Sequence, residues 1–174
     1  MKYVPEPTSE LTLEWVTRQL RQISDSIIRE TEYRFIVPAS LNVATGGTPV
    51  GDVTDLQVML DGNEYQLPEV TGTPGFDLEI NFSNVSRIRG IVTKCRYDGA
   101  SPHYAEVRLH NYTTVADDIL LRVDPAATNN TRTVLLPSDE NYIDTDGSAQ
   151  IVFYHPGAGN ATHDLYIDYV AILS

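Results

Sequence analysis

The chain has 174 residues, 41% of them hydrophobic and 21% charged, which excludes a disordered polymer and leaves room for one packed core plus an appendage. Twelve basic residues against twenty-four acidic ones give a formal charge of −12, a surface that repels phosphate backbones and speaks against nucleic-acid binding. One cysteine, Cys95, excludes an internal disulfide and a thiolate-based zinc site, and no apolar run is long enough for a membrane helix.

The opening MKYVPEPTSE has no apolar segment of the kind a secretory signal needs, so none is expected. Pro5 and Pro7 hold the lead extended. A helix is then predicted, capped by Ser9 or Thr12, with Glu10 and Glu14 near its positive end. Leu13, Val16, Leu20, Ile23 and Ile27 recur at spacings of 3, 4, 3 and 4, the a/d stripe of a coiled coil. Thr17, Arg18, Gln19, Arg21, Gln22, Ser24 and Asp25 make the flanks polar, so the stripe is narrow. Two readings follow: an oligomerisation seam, or an amphipathic helix lying on its own β domain. Two heptads are marginal alone, so a seam would need help from the rest of the chain. A homotrimer is expected on architectural grounds, and Trp15, off the stripe, is the candidate partner contact.

Near Pro38 the hydrophobic period changes from three or four residues to two. This divides the chain into an N-terminal lead and helix, residues 1–38, and a β-sandwich domain, residues 39–174. Strand signals fall at Arg34–Val37, Ala39–Val43, Phe76–Phe82, Ile88–Tyr97, Tyr104–His110, Ile119–Val123, Thr133–Leu136, Ala149–Tyr154 and Asp164–Leu173. Leu56, Val58 and Leu60 also alternate, and Asp61-Gly62 predicts a hairpin into Glu64–Leu67. In the last strand Tyr166, Asp168 and Val170 are expected on one face, with Leu165, Ile167, Tyr169 and Ala171 on the other. Nine or ten strands with no intervening helix predict an all-β fold, a β-sandwich of jelly-roll type behind a short coiled-coil helix.

Candidate chemistry is sparse. His103, His110, His155 and His163 carry no hydrolase, zinc or phosphate-loop motif, so no catalytic residue, cofactor or metal ligand is assigned and the protein is not expected to be an enzyme. DENYIDTDG lacks the full spacing of a calcium loop, and a tight turn at Asp146-Gly147 accounts for it. Cys95 alternates within IVTKCRY like a buried strand residue. Ten tyrosines outnumber the other aromatics, and Tyr97, Tyr104, Tyr112, Tyr142 and Tyr154 sit near predicted strand ends, where they are candidate contacts for a glycan.

Two stretches resemble structural virion proteins of tailed bacteriophages. YVPEPTSELTLEWVTRQLRQI is similar to the opening of such proteins, and GNATHDLYIDYVAIL to the closing strand of fibre and decoration domains. The resemblance implies a non-enzymatic component of a head fibre, decoration protein, tail fibre or baseplate. Such a component assembles in the host cytoplasm, attaches to a capsid or tail protein through its N-terminal segment and displays the β-sandwich. The alternative is a glycan-binding module for host-surface attachment. Neither reading involves nucleic acid or a membrane.

Overall fold

A computed structural model describes residues 34–174 apart from 138 and 140, together with Val16, Thr17 and Leu20. Val16 and Leu20, two of the five seam residues, are helical and exposed. Leu13, Ile23 and Ile27 of the seam, and Trp15, lie outside the described residues.

Phe35–Ser174 forms one compact unit. Its strands are β1 (Phe35–Ile36), β2 (Ser40–Thr45), β3 (Tyr65–Pro68), β4 (Asp77–Phe82), β5 (Gly90–Tyr97), β6 (Ala105–Asn111), β7 (Ala116–Val123), β8 (Asn130–Leu135), β9 (Ala149–Tyr154) and β10 (Asp164–Leu173). They make two five-stranded antiparallel sheets. One runs β1-β10-β5-β8 with β3 also on β10; the other runs β2-β4-β9-β6-β7. From β3 to β10 the chain crosses between sheets at every connection except β6–β7, and β3-β10-β5-β8 faces β4-β9-β6-β7 in jelly-roll order.

Alternation decides the core. Phe76, Leu78, Ile80 and Phe82 point inward, in phase with Ile151 and Phe153 of β9 and Val107 and Leu109 of β6. Ile91, Cys95, Leu165 and Ile167 meet them from the other sheet. Each such fully buried aliphatic side chain is worth about 1.5–3 kcal/mol of transfer free energy. Cys95 is buried as expected, and burial pushes its thiol above the ordinary range.

Two expectations fail for identifiable reasons. The hairpin at Asp61-Gly62 does not form. Val53–Leu56 is instead a 3-10 turn, started by Asp52, whose side chain accepts from the Thr54 amide at 2.7 Å while Asp55 accepts from the Asp52 amide at 2.8 Å. This reciprocal cap outcompetes a strand, and only Leu56 of the apolar trio is buried. In β10 the register shifts between Ile167 and Tyr169. The bulge exchanges the two faces beyond Asp168: Val170 and Ile172 join Leu165 and Ile167 in the core, whereas Tyr169 and Ala171 turn outward. There they pack with Val92 and Met59, so the segment after β2 roofs this sheet.

Candidate functional site

The outer face of the β2-β4-β9-β6-β7 sheet has no such roof: every buried apolar cluster among the described residues lies elsewhere. The ladder arranges its outward residues in rows across the strands. One row is Thr45, Asp77, Tyr154, Glu106 and Arg122; the next is Asn42, Glu79, Val152, Arg108 and Ile119; a third holds Ser40, Asn81 and Gln150. The residues are outward because their neighbours Leu78, Ile80, Val107, Ile151 and Phe153 must be inward.

These side chains are fixed to one another. The Arg108 guanidinium lies 3.8 Å above the Tyr154 ring and donates from Nε and Nη2 to Glu106 Oε2 at 2.8 and 2.5 Å. Arg122 lies 3.8 Å above the Tyr104 ring and donates to Asp124 at 2.5 Å. Asn42 donates to Glu79 at 3.0 Å and Gln150 to Asn81 at 3.0 Å. Guanidinium-on-ring stacking and carboxylate pairing restrict the rotamers of long side chains before any ligand arrives. Val152 is 2% exposed beneath this layer. Burial, then the like charges of Glu79 and Asp117, push the Asp77 carboxyl above its ordinary range, while Arg108 pulls the other way. The surface therefore offers flat aromatic area, fixed cationic donors and carboxylate acceptors side by side.

The five predicted tyrosines divide. Tyr104 and Tyr154 belong to this face. Tyr112, at the other end of β6, meets the His110 ring edge-on at 4.8 Å. Tyr142 donates to Asp118 at 2.9 Å, which together with Asn111 holds that carboxyl below its ordinary range. Tyr97 is fully buried and cannot meet a glycan: its inward place in β5 is fixed by alternation with Cys95. Arg108 and Arg122 were not singled out from the sequence, although the outward phase of Tyr104, Glu106 and Arg108 was legible.

Beside Tyr104 the face runs into an open cleft of about 390 Å³, lined by Pro102, His103, Tyr104, His155, Pro156, Gly157 and Ala158. Packed against its lining residues His103 and His155 are Glu69, just after β3, and His163, just before β10; Glu69, His163 and His155, itself just after β9, are buried. Glu69 accepts from the Tyr97 hydroxyl at 2.5 Å and from the Asn160 amide at 2.6 Å. The Nδ1 atoms of His155 and His163 each lie 3.6 Å from one of its oxygens. His103 stacks flat on His155, with 5.1 Å between centroids and 5° between planes, and meets His163 edge-on at 5.1 Å and 86°. Burial holds His155 below the ordinary imidazole range against the opposing pull of Glu69. The Tyr97 phenol is pushed well above its ordinary range, first by burial and then by the Glu69 carboxylate. The four-group cluster is not one of the predicted sites; only the proximity of His155 and His163 to one loop was visible.

No protein-family model matches the chain, and no curated protein matches it. Among solved structures it is similar to family 29 carbohydrate-binding modules. A mutant complexed with cellulohexaose is 13% identical, with a TM-score of 0.51 over 81% of this chain and 89% of that one. A second mutant module is 13% identical, with a TM-score of 0.50 over 81% of this chain and 90% of the other. At these identities the likeness is one of fold: a two-sheet antiparallel β-sandwich.

Proposed function

We propose that the β unit is a non-catalytic carbohydrate-binding module, with its ligand lying across the outer face of the β2-β4-β9-β6-β7 sheet. The observation that carries this is the pre-paired layer of Tyr154 with Arg108 and Glu106, and Tyr104 with Arg122, on a sheet face that no apolar cluster covers among the described residues. Sugars present apolar ring faces edged with hydroxyls. A platform of aromatic area ringed by fixed donors and acceptors complements both, at little rotamer cost on binding. That a module of similar fold has been seen with cellulohexaose supports the same reading. The test is a glycan array followed by calorimetric titration of the best sugar. Saturable binding weakened at least about tenfold by Tyr154→Ala or Arg108→Ala is expected, equivalent to about 1.4 kcal/mol. An array without a hit, or a hit indifferent to both substitutions, would overturn it.

A second reading places this module on a phage particle, as the likeness of residues 3–23 and 159–173 to virion proteins implies. One observation favours self-association, which that reading needs: the seam residues Val16 and Leu20 are helical and exposed in the single chain. Light scattering on the full chain tests it. An oligomer that Leu20→Asp plus Ile23→Asp dissociates, with β structure retained, is expected; a mass that the pair leaves unchanged rules the seam out.

A further inference from the structure

We propose that Glu69, His103 and His163 form a binding site for a divalent transition metal of the zinc class, adjoining the cleft beside Tyr104 through His103. The inference does not depend on the carbohydrate reading.

Geometry comes first. One ligand atom from each of the three residues lies within 4.8 Å of the others. Tetrahedral coordination at bond lengths of about 2.0–2.2 Å needs ligand atoms about 3.4 Å apart. The Glu69 Oε2 to His163 Nδ1 distance, 3.6 Å, is already near that edge length. The half-buried His103, on the β5–β6 connection, lies within 4.8 Å of both and must close in by at most about 1.4 Å. The His103 and His163 ring planes cross at 86°, so their in-plane lone pairs can converge on one point. His155 stacks parallel on His103, so its lone pair runs alongside rather than toward that point. It serves as a wall, and Gly75 lets it sit there: a Cβ on Gly75 would come within 2.5 Å of His155 Nδ1.

Unmet valence comes second. Glu69 is 2% exposed, and no lysine or arginine pairs with it among the described residues. Its two hydrogen-bond donors are both neutral, Tyr97 and the Asn160 amide. A buried carboxylate without a cation is costly. The Nδ1 atom of His103 is buried with no hydrogen-bond partner. A metal ion supplies the missing charge to Glu69 and an acceptor for the His103 lone pair in one step. Tyr97 and Asn160 then serve as the outer partners that orient a ligating carboxylate. Two imidazoles with one carboxylate suit zinc, cobalt, nickel or copper rather than calcium or magnesium, which prefer oxygen alone. Three protein ligands leave a fourth position for a water or another small ligand, and of the three it is His103 that also lines the cleft beside Tyr104.

The experiment uses the full chain, stripped with a chelator and titrated with ZnCl₂ by calorimetry and with CoCl₂ by visible absorption. One ion per chain is expected, with the absorption of four-coordinate, nitrogen-ligated Co²⁺. His103→Ala should weaken binding at least about tenfold, and His110→Ala, on the distant β6–β7 ladder, should leave it unchanged. His163→Gln gives a second reading should His103→Ala fold poorly. Absence of Zn²⁺ and Co²⁺ uptake by the unmodified chain at micromolar concentration overturns the proposal without recourse to any variant. Uptake that survives both cluster substitutions, or is lost on His110→Ala, overturns it as well.

Discussion

The two outer faces of the sandwich are built on the same alternation and put it to opposite uses. On the β1-β10-β5-β8 sheet, outward Val92, Tyr169 and Ala171 are apolar and are roofed by Met59. On the β2-β4-β9-β6-β7 sheet, the corresponding layer is arginine, tyrosine, carboxylate and amide, without a roof among the described residues. Period-two patterning fixes which residues leave the core; the chemistry of those that leave decides whether a face becomes structure or surface.

Five substitutions would break or sharpen that contrast. The largest effect is expected at Lys94, whose Nζ lies 2.5 Å from Asp168 Oδ2 on the roofed sheet. Lys94→Ala strands a carboxylate that is 3% exposed, and should cost about 3–5 kcal/mol in urea denaturation. A loss below about 1 kcal/mol would mean that water reaches Asp168. Next, Tyr169→Ala removes the largest piece under the roof and should cost about 2–4 kcal/mol, whereas Tyr154→Ala on the open face should cost under about 1 kcal/mol. Equal losses would erase the difference between the faces.

A smaller effect is expected from pH. The folded-state His155 resists protonation because it is buried, in the company of Glu69, His103 and His163. The unfolded chain takes up that proton at the ordinary value of 6.5, so the stabilising contribution is present above 6.5 and is lost as pH falls below it. Stability should therefore fall by at most about 1.4 kcal/mol per pH unit from this group. His155→Phe should flatten the slope; a slope unchanged in that variant assigns it to other groups. The smallest effect is expected for Glu79→Gln, at the half-exposed centre of the open face: a stability change within about 0.5 kcal/mol, read by thermal melting.

The β4 strand was legible because it alternates without interruption, and β9 and β10 because each is a run rich in β-branched and aromatic residues between turn residues. What escaped the sequence did so for local and for non-local reasons. The false hairpin at Leu56–Leu67 came from weighting alternation over the Asp52/Asp55 cap, a signal that was present in the residues. The bulge at Asp168 has no glycine or proline to announce it, and only the oddity of a charge inside an apolar strand marks the place. Glu69 continues the inward phase of Tyr65 and Leu67, which could have flagged a buried carboxylate. Its meeting with His103 and His163 could not be read, because jelly-roll winding brings together three connections that no sequence spacing relates.

The pairing of Phe35 with Leu173 has a topological consequence. Opposed residues of an antiparallel pair lie about 5 Å apart, so the entry and exit of the β unit are neighbours in space. A linker of a few residues would close the unit into a ring, and the ring can be reopened in the exposed turn around Asp61 and Gly62 without cutting a strand. The architecture is thus cyclic in all but covalent bonding, and the place where its chain begins is a matter of genetic order rather than of structure.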